Sequence, residues 1–155
     1  MIQLMYDWQN VGCQKQKFNQ SDGTCPGCND FETHFHYLSC GNEKITKARK
    51  EALKVLTKGL KKMNTFPGCI ATIIEGISTD FKKATESIGL PKSQKELLLI
   101  EAAKNQYTLG NHTIFRGMIV KDWEPIQREW CRENGFRHNP RRWSIQLIKL
   151  LKHNY

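Results

Sequence analysis

Cys25-Pro26-Gly27-Cys28 is followed by His34, His36 and Cys40, a density of soft donors that could bind a metal ion. A Cys-x-x-Cys turn aims two sulfurs at one point, and a His and a Cys four residues apart present two further donors on one side of the next helical turn. Three thiolates and an imidazole are a tetrahedral donor set for Zn²⁺. The spacing therefore predicts one zinc held by Cys25, Cys28, His36 and Cys40, with His34 as the fallback donor. Four protein ligands leave no open position, which suits a structural or recognition role better than hydrolysis. A redox Cys-x-x-Cys or a pair of free thiols is the competing reading, but no βαβ pattern surrounds the motif and the downstream His and Cys would have no purpose.

Other chemistry is not spelled out. Asp7 is followed by Trp8 where a polymerase loop of the Tyr-x-Asp-Asp kind has its second acid, and no other carboxylate pair suggests a two-metal site. His-Glu-x-x-His, a Gly-rich phosphate loop ending in Gly-Lys-Ser/Thr, and Gly-x-Ser-x-Gly are all missing. The sequence predicts no enzyme and no small-molecule substrate. Cys13, Cys69 and Cys131 are widely scattered, and the start, Met1 to Tyr6, is too short and uncharged for a secretory signal. An intracellular protein of the cytoplasm or nucleus is expected, with no membrane partner, because no apolar run approaches the roughly 18 residues a span needs.

The charge is +9, and it is unevenly spread. Residues 1–42 are slightly acidic, 43–64 and 93–155 carry the basic excess, and 65–92 balance. Such clustering favours polyanions, so RNA or DNA bound with low specificity is the expected partner. Lys47, Lys50, Lys54, Lys58 and Lys61 recur at three or four and are offset by about 200° of helical rotation from Ile45, Ala48, Ala52, Leu56, Leu60 and Met63. This lysine ladder is the candidate phosphate-binding face, and a merely solvated helix face is its alternative.

The elements that must position these groups are helical. One or two short helices are expected within Met1–Phe18, then turn chemistry at Asp22-Gly23, then the knuckle. Asn42 is a candidate N-cap for a helix to about Met63 or Asn64. Phe66-Pro67-Gly68 and Gly89-Leu90-Pro91 punctuate a second apolar stretch carrying Ile70, Ile73, Ile74 and Ile77, with Cys69 as a core thiol. Ser93 to Glu96 has the capping-box pattern and should open a helix to about Tyr107, along which Leu97, Leu98, Glu101 and Ala102 follow. Trp123, Ile126, Gln127 and Trp130 share one face of a helix that must start near Pro125, and a last helix carries Trp143, Leu147, Ile148 and Leu151 inward. No period-2 run appears. The fold class is all-α: a small zinc knuckle in 1–42 joined to a helical region in 43–155.

Cys25-Pro26-Gly27-Cys28, Glu32-Thr33, His36 and Cys40, preceded by Asp7-Trp8-Gln9-Asn10-Val11-Gly12, resemble the zinc-binding region downstream of the polymerase domain in non-LTR-like retroelement reverse transcriptases. The likeness is nearest to reverse-transcriptase-derived reading frames of algal genomes. There a basic helix follows the knuckle, then a stretch like Asn105-Gln106-Tyr107-Thr108-Leu109-Gly110-Asn111 leading into Phe115-Arg116-Gly117. The spacing after Gly110 is longer here and the last helix ends early, as in a piece of a longer frame. The resemblance implies a non-catalytic appendage with nucleic acid, and a polymerase domain, as partners. A protein-interaction module whose Trp123, Trp130 and Trp143 surfaces pack against that domain, or a remnant without function, is the alternative.

Overall fold

In the computed structural model the described residues are 22–33, 35–137 and 139–154; they form six α-helices and two short 3₁₀ segments, with no strand among them. The helices are α1 (Glu43–Lys62), α2 (Pro67–Ser78), α3 (Phe81–Ile88), α4 (Gln94–Leu109), α5 (Trp123–Glu133) and α6 (Pro140–Asn154). The 3₁₀ segments are His36–Leu38 and Asn111–Arg116. The all-α expectation holds, with a cluster of three cysteines and a histidine in the knuckle. The helices expected within Met1–Phe18, and His34, lie outside the described residues.

The chain divides into two compact units, Met1–Ala52 and Leu53–Tyr155. The division falls inside α1, later than the boundary after residue 42 read from the sequence. Within the second unit α3 packs on α2 and α4, α5 on α4 and α6, and α6 on the 111–116 segment. Leu56, Leu60, Ile73, Phe81, Trp123, Ile126 and Leu147 are all removed from solvent. Burial of each such side chain is worth about 1.5–3 kcal/mol, so this unit has an apolar core of its own. At Gly76 a Cβ would stand 2.4 Å from the Phe81 ring, which is why α2 can approach so closely only through glycine.

Two glutamines rivet this core. Gln127 is fully buried on α5; its Oε1 accepts from Phe66 N–H (2.9 Å), and its Nε2 donates to Asn64 C=O (2.9 Å) and Cys131 Sγ (3.2 Å). One side chain thus satisfies both orphan backbone groups of the turn between α1 and α2. Gln106 on α4, equally buried, donates to Thr113 Oγ1 and Met118 C=O and accepts from Val120 N–H, fixing the 111–120 segment. Trp143 Nε1 donates to Thr65 Oγ1 at 2.9 Å, adding α6 to the same corner.

Two readings from periodicity are corrected, on α4 and on α1, and one break was not read at all. The apolar stretch before Gly89 is two helices, parted at Thr79-Asp80, because Asp80 Oδ1 accepts Lys83 N–H (2.7 Å) and starts α3 as a new N-cap. The buried face of α4 is Leu99, Ala102, Ala103 and Gln106, with Leu97 half exposed. On α1 only Leu56 and Leu60 are buried, and Ala48 is exposed. The capping box also closes one residue early: Ser93 Oγ accepts Glu96 N–H, but Glu96 Oε2 accepts from Lys92 N–H, at 2.6 Å. Among the described residues no helix is long and apolar enough to cross a membrane.

Candidate metal centre

The knuckle is built from turns closed by short local hydrogen bonds. Asp22 Oδ1 accepts from both Thr24 N–H (2.9 Å) and Thr24 Oγ1 (2.6 Å), an Asx turn that also holds the Asp22 carboxyl below its ordinary range. Thr24 and Phe31 then form a lone antiparallel bridge, with Glu32 N–H to Gly23 C=O and Cys25 N–H to Asp30 C=O, both 2.8 Å. Between them Cys25-Pro26-Gly27-Cys28 turns back sharply, and Asn29 sits at φ 62°, a left-handed conformation asparagine tolerates. A Cβ on Gly27 would stand 2.8 Å from Asn42 Nδ2, so the Pro-Gly pair lets the turn lie against the start of α1.

The second pair of donors comes from one helical turn. Cys40 N–H reaches His36 C=O at 2.7 Å, so His36 and Cys40 stand on one side of the 3₁₀ segment, as the four-residue spacing requires. Asn42 then caps α1, its Oδ1 accepting from Lys44 N–H (3.0 Å) and Ile45 N–H (3.4 Å), while its Nδ2 donates to Gly27 C=O.

The four expected ligands converge. One donor atom from each of Cys25, Cys28, His36 and Cys40 lies within 4.8 Å of every other. Cys25 Sγ is 3.9 Å and Cys28 Sγ 3.6 Å from Cys40 Sγ, and Cys28 Sγ is 3.0 Å from His36 Nε2. Each of these cysteines is a free thiol. Cys25, His36 and Cys40 are buried, and Cys28 is partly open. Together they can hold a metal ion.

The Gly27 amide, 3.4 Å away, leads the contacts that hold the Cys25 thiol below its ordinary range. The Asp30 amide pulls Cys28 in the same direction, but burial and the neighbouring sulfurs of Cys40 and Cys25 outweigh it and push Cys28 up to about 11. Three sulfurs this close cannot all be thiolate without a cation among them.

Sequence reasoning missed Arg49. Its Nη1 donates to the carbonyls of Leu38 (2.8 Å), Tyr37 (3.0 Å) and Cys40 (3.4 Å), and Thr46 Oγ1 adds a bond to Cys40 C=O at 3.3 Å. These are the carbonyls left over where the 3₁₀ segment ends, so α1 is bolted to the ligand loop by a guanidinium. The signal was present: Arg49 is the lone arginine among the lysines of 43–64.

Lys47, Lys50, Lys54, Lys58 and Lys61 are all exposed on α1. The first two belong to the knuckle unit; the last three, with Leu53 and Thr57, line a shallow depression in the helical unit. The tryptophans expected as docking surfaces are elsewhere: Trp123 and Trp143 are buried in the core, and Trp130 packs against Phe66 at 5.2 Å between centroids. Cys69 is a core thiol, its acidity suppressed by burial. The chain matches no protein-family model, no curated protein and no solved structure.

Proposed function

We propose that the chain is a zinc-binding, nucleic-acid-binding, non-catalytic appendage of a retroelement reverse transcriptase. The observation that carries the zinc reading is the convergence of Cys25, Cys28, His36 and Cys40. Tetrahedral Zn²⁺ with Zn–S bonds of about 2.3 Å sets sulfurs roughly 3.8 Å apart. The two sulfur pairs here stand at 3.6 and 3.9 Å. The 3.0 Å between Cys28 Sγ and His36 Nε2 is a hydrogen-bond distance and has to widen by about half an ångström. Zinc supplies charge and a fixed geometry; with all four positions taken by protein it leaves no site for substrate.

The chain's own residues do the rest. Arg49 and Asn42 couple the ligand loop to the start of α1, so that Lys47 and Lys50 are presented on an ordered helix and Lys54, Lys58 and Lys61 continue its basic face. Phosphate contacts of this kind give low sequence specificity and steep salt dependence. The retroelement context rests on the likeness of the knuckle and the sequence around it. A polymerase domain, where one accompanies the chain, supplies the catalysis, since Asp7 lacks the paired acid that two-metal phosphoryl transfer requires.

The test is binding of a labelled RNA oligonucleotide, and its DNA counterpart, by the zinc-loaded chain across a salt series. Replacing Lys47, Lys54, Lys58 and Lys61 by Gln should flatten the salt slope by up to about one unit per lost phosphate contact. No binding at low salt, or an unchanged slope, contradicts the nucleic-acid reading. Primer extension by the purified chain with Mg²⁺ contradicts the non-catalytic one.

A further inference from the structure

The corner where α5 runs into α6 carries charges for which the lysine face gives no reason. Between residues 128 and 142 five arginines stand against two glutamates. Arg128, Arg132, Arg137, Arg141 and Arg142 are all exposed, and among the described residues none of their side chains has a hydrogen bond or an ion pair. One of the two acids, Glu133, is already paired with Lys95. An aromatic ring stands in the same corner. The end of α5 is a Schellman motif, with Gly135 at φ 66° and Phe136 N–H bonded to Cys131 C=O at 2.9 Å, so the backbone of Phe136 is fixed while its side chain stays 39% exposed.

From this corner we infer a second nucleic-acid site, in which the arginines take the phosphates of a single strand and Phe136 stacks one of its bases. Guanidinium forks bind phosphate oxygens in pairs and lie flat on bases, and an aromatic platform beside a basic groove is how single strands are held with little regard to sequence. An acidic peptide would satisfy the charge but has no use for a free ring placed between Arg132 and Arg137 in sequence. The site lies wholly within the helical unit and contains none of the metal ligands, so it operates without zinc. It goes beyond the lysine face and stands or falls separately from it.

Reversing Arg141 and Arg142 tests it cleanly. Both lie in the first turn of α6, where positive charge opposes the helix dipole, so R141E/R142E should melt at or above the temperature of the parent. The matched control is K82E/K83E, the same charge change on exposed residues in the first turn of α3. The zinc-loaded full chain and its chelator-treated form are titrated with a labelled 20-nucleotide single-stranded RNA, its DNA equivalent, the duplex, and polyglutamate. R141E/R142E should weaken single-strand binding by at least about tenfold beyond the control, with or without chelator, and F136A by about tenfold for single strands and little for duplex. RNA and DNA responding alike identifies the phosphate backbone and stacking as the shared ligand; a response confined to RNA identifies the 2′-hydroxyl strand as the source. Parent-like binding by R141E/R142E, unchanged single-strand binding by F136A, or polyglutamate bound as tightly as the oligonucleotide overturns the inference. Binding lost on chelation or on replacing the α1 lysines, yet untouched by R141E/R142E, would leave the lysine-face reading standing and this one fallen.

Discussion

The two units of this protein are stabilised by different means. The helical unit buries two tryptophans, two phenylalanines and a row of aliphatic side chains, and uses Gln106, Gln127 and Trp143 to tie its irregular segments to that core. Among the described residues of the knuckle unit the buried side chains are those of Cys25, His36 and Cys40, which are themselves among the proposed ligands. Its other described residues form turns and backbone bonds pinned by Arg49 to the start of α1. On the proposed reading, a metal ion takes the place of the apolar core that the described residues of this segment lack. The contrast teaches that the same chain can specify one unit through donor spacing and the other through hydrophobic periodicity.

The most damaging change should be the loss of a ligand. Structural zinc contributes about 10–16 kcal/mol in finger peptides, so Cys40→Ala should leave the knuckle without a stable fold while the melting of the helical unit is unmoved. A single, shared transition lost in both units would break the comparison. The next effect is the pH response of the knuckle. Below pH 11 the metal-free Cys28 keeps a proton that the ion must displace, so affinity falls about tenfold per pH unit and at least about a hundredfold from pH 8 to 6. Competition with a chelator at fixed metal across that range measures the slope, and a flat profile would contradict thiolate ligation.

How far each unit could be read from sequence follows the same divide. Cys25, Cys28, His36 and Cys40 were legible because coordination demands particular atoms at particular spacings. The α1, α4 and α6 helices were legible from caps and periodicity. The register of α4 was not: three consecutive leucines, Leu97, Leu98 and Leu99, fit several faces, and packing against α3 and α5 chose Leu99. The break at Asp80 was hidden because an N-cap in mid-stretch looks like any exposed acid until its partner, Lys83 N–H, is known. Arg49 was passed over, since nothing local says that three carbonyls will end beside it. Gln127 looked like a polar residue on an apolar face; its two backbone partners, Phe66 N–H and Asn64 C=O, lie more than sixty positions away in the chain.

Two smaller effects sharpen the contrast. Gln127→Ala leaves Phe66 N–H and Asn64 C=O unsatisfied and opens a void, and should cost the helical unit about 3 kcal/mol with zinc affinity unchanged. Arg49→Gln should cost the knuckle about 1.5–2 kcal/mol, read as a tenfold or greater loss of zinc affinity, with the thermal midpoint of the helical unit unmoved. Thermal melts paired with chelator competition for both variants check the crossing pattern; equal effects on both readouts would erase the division.

Amide exchange of the full chain, with and without chelator, alongside metal analysis of protein purified in zinc, tests the account most directly. It predicts one zinc per chain, and loss of protection at the amides of Cys25, Glu32 and Cys40 on chelation, while those of Ile70, Phe81 and Val120 exchange as before. Well under one equivalent of zinc, or knuckle amides as protected in chelator as without it, would contradict it.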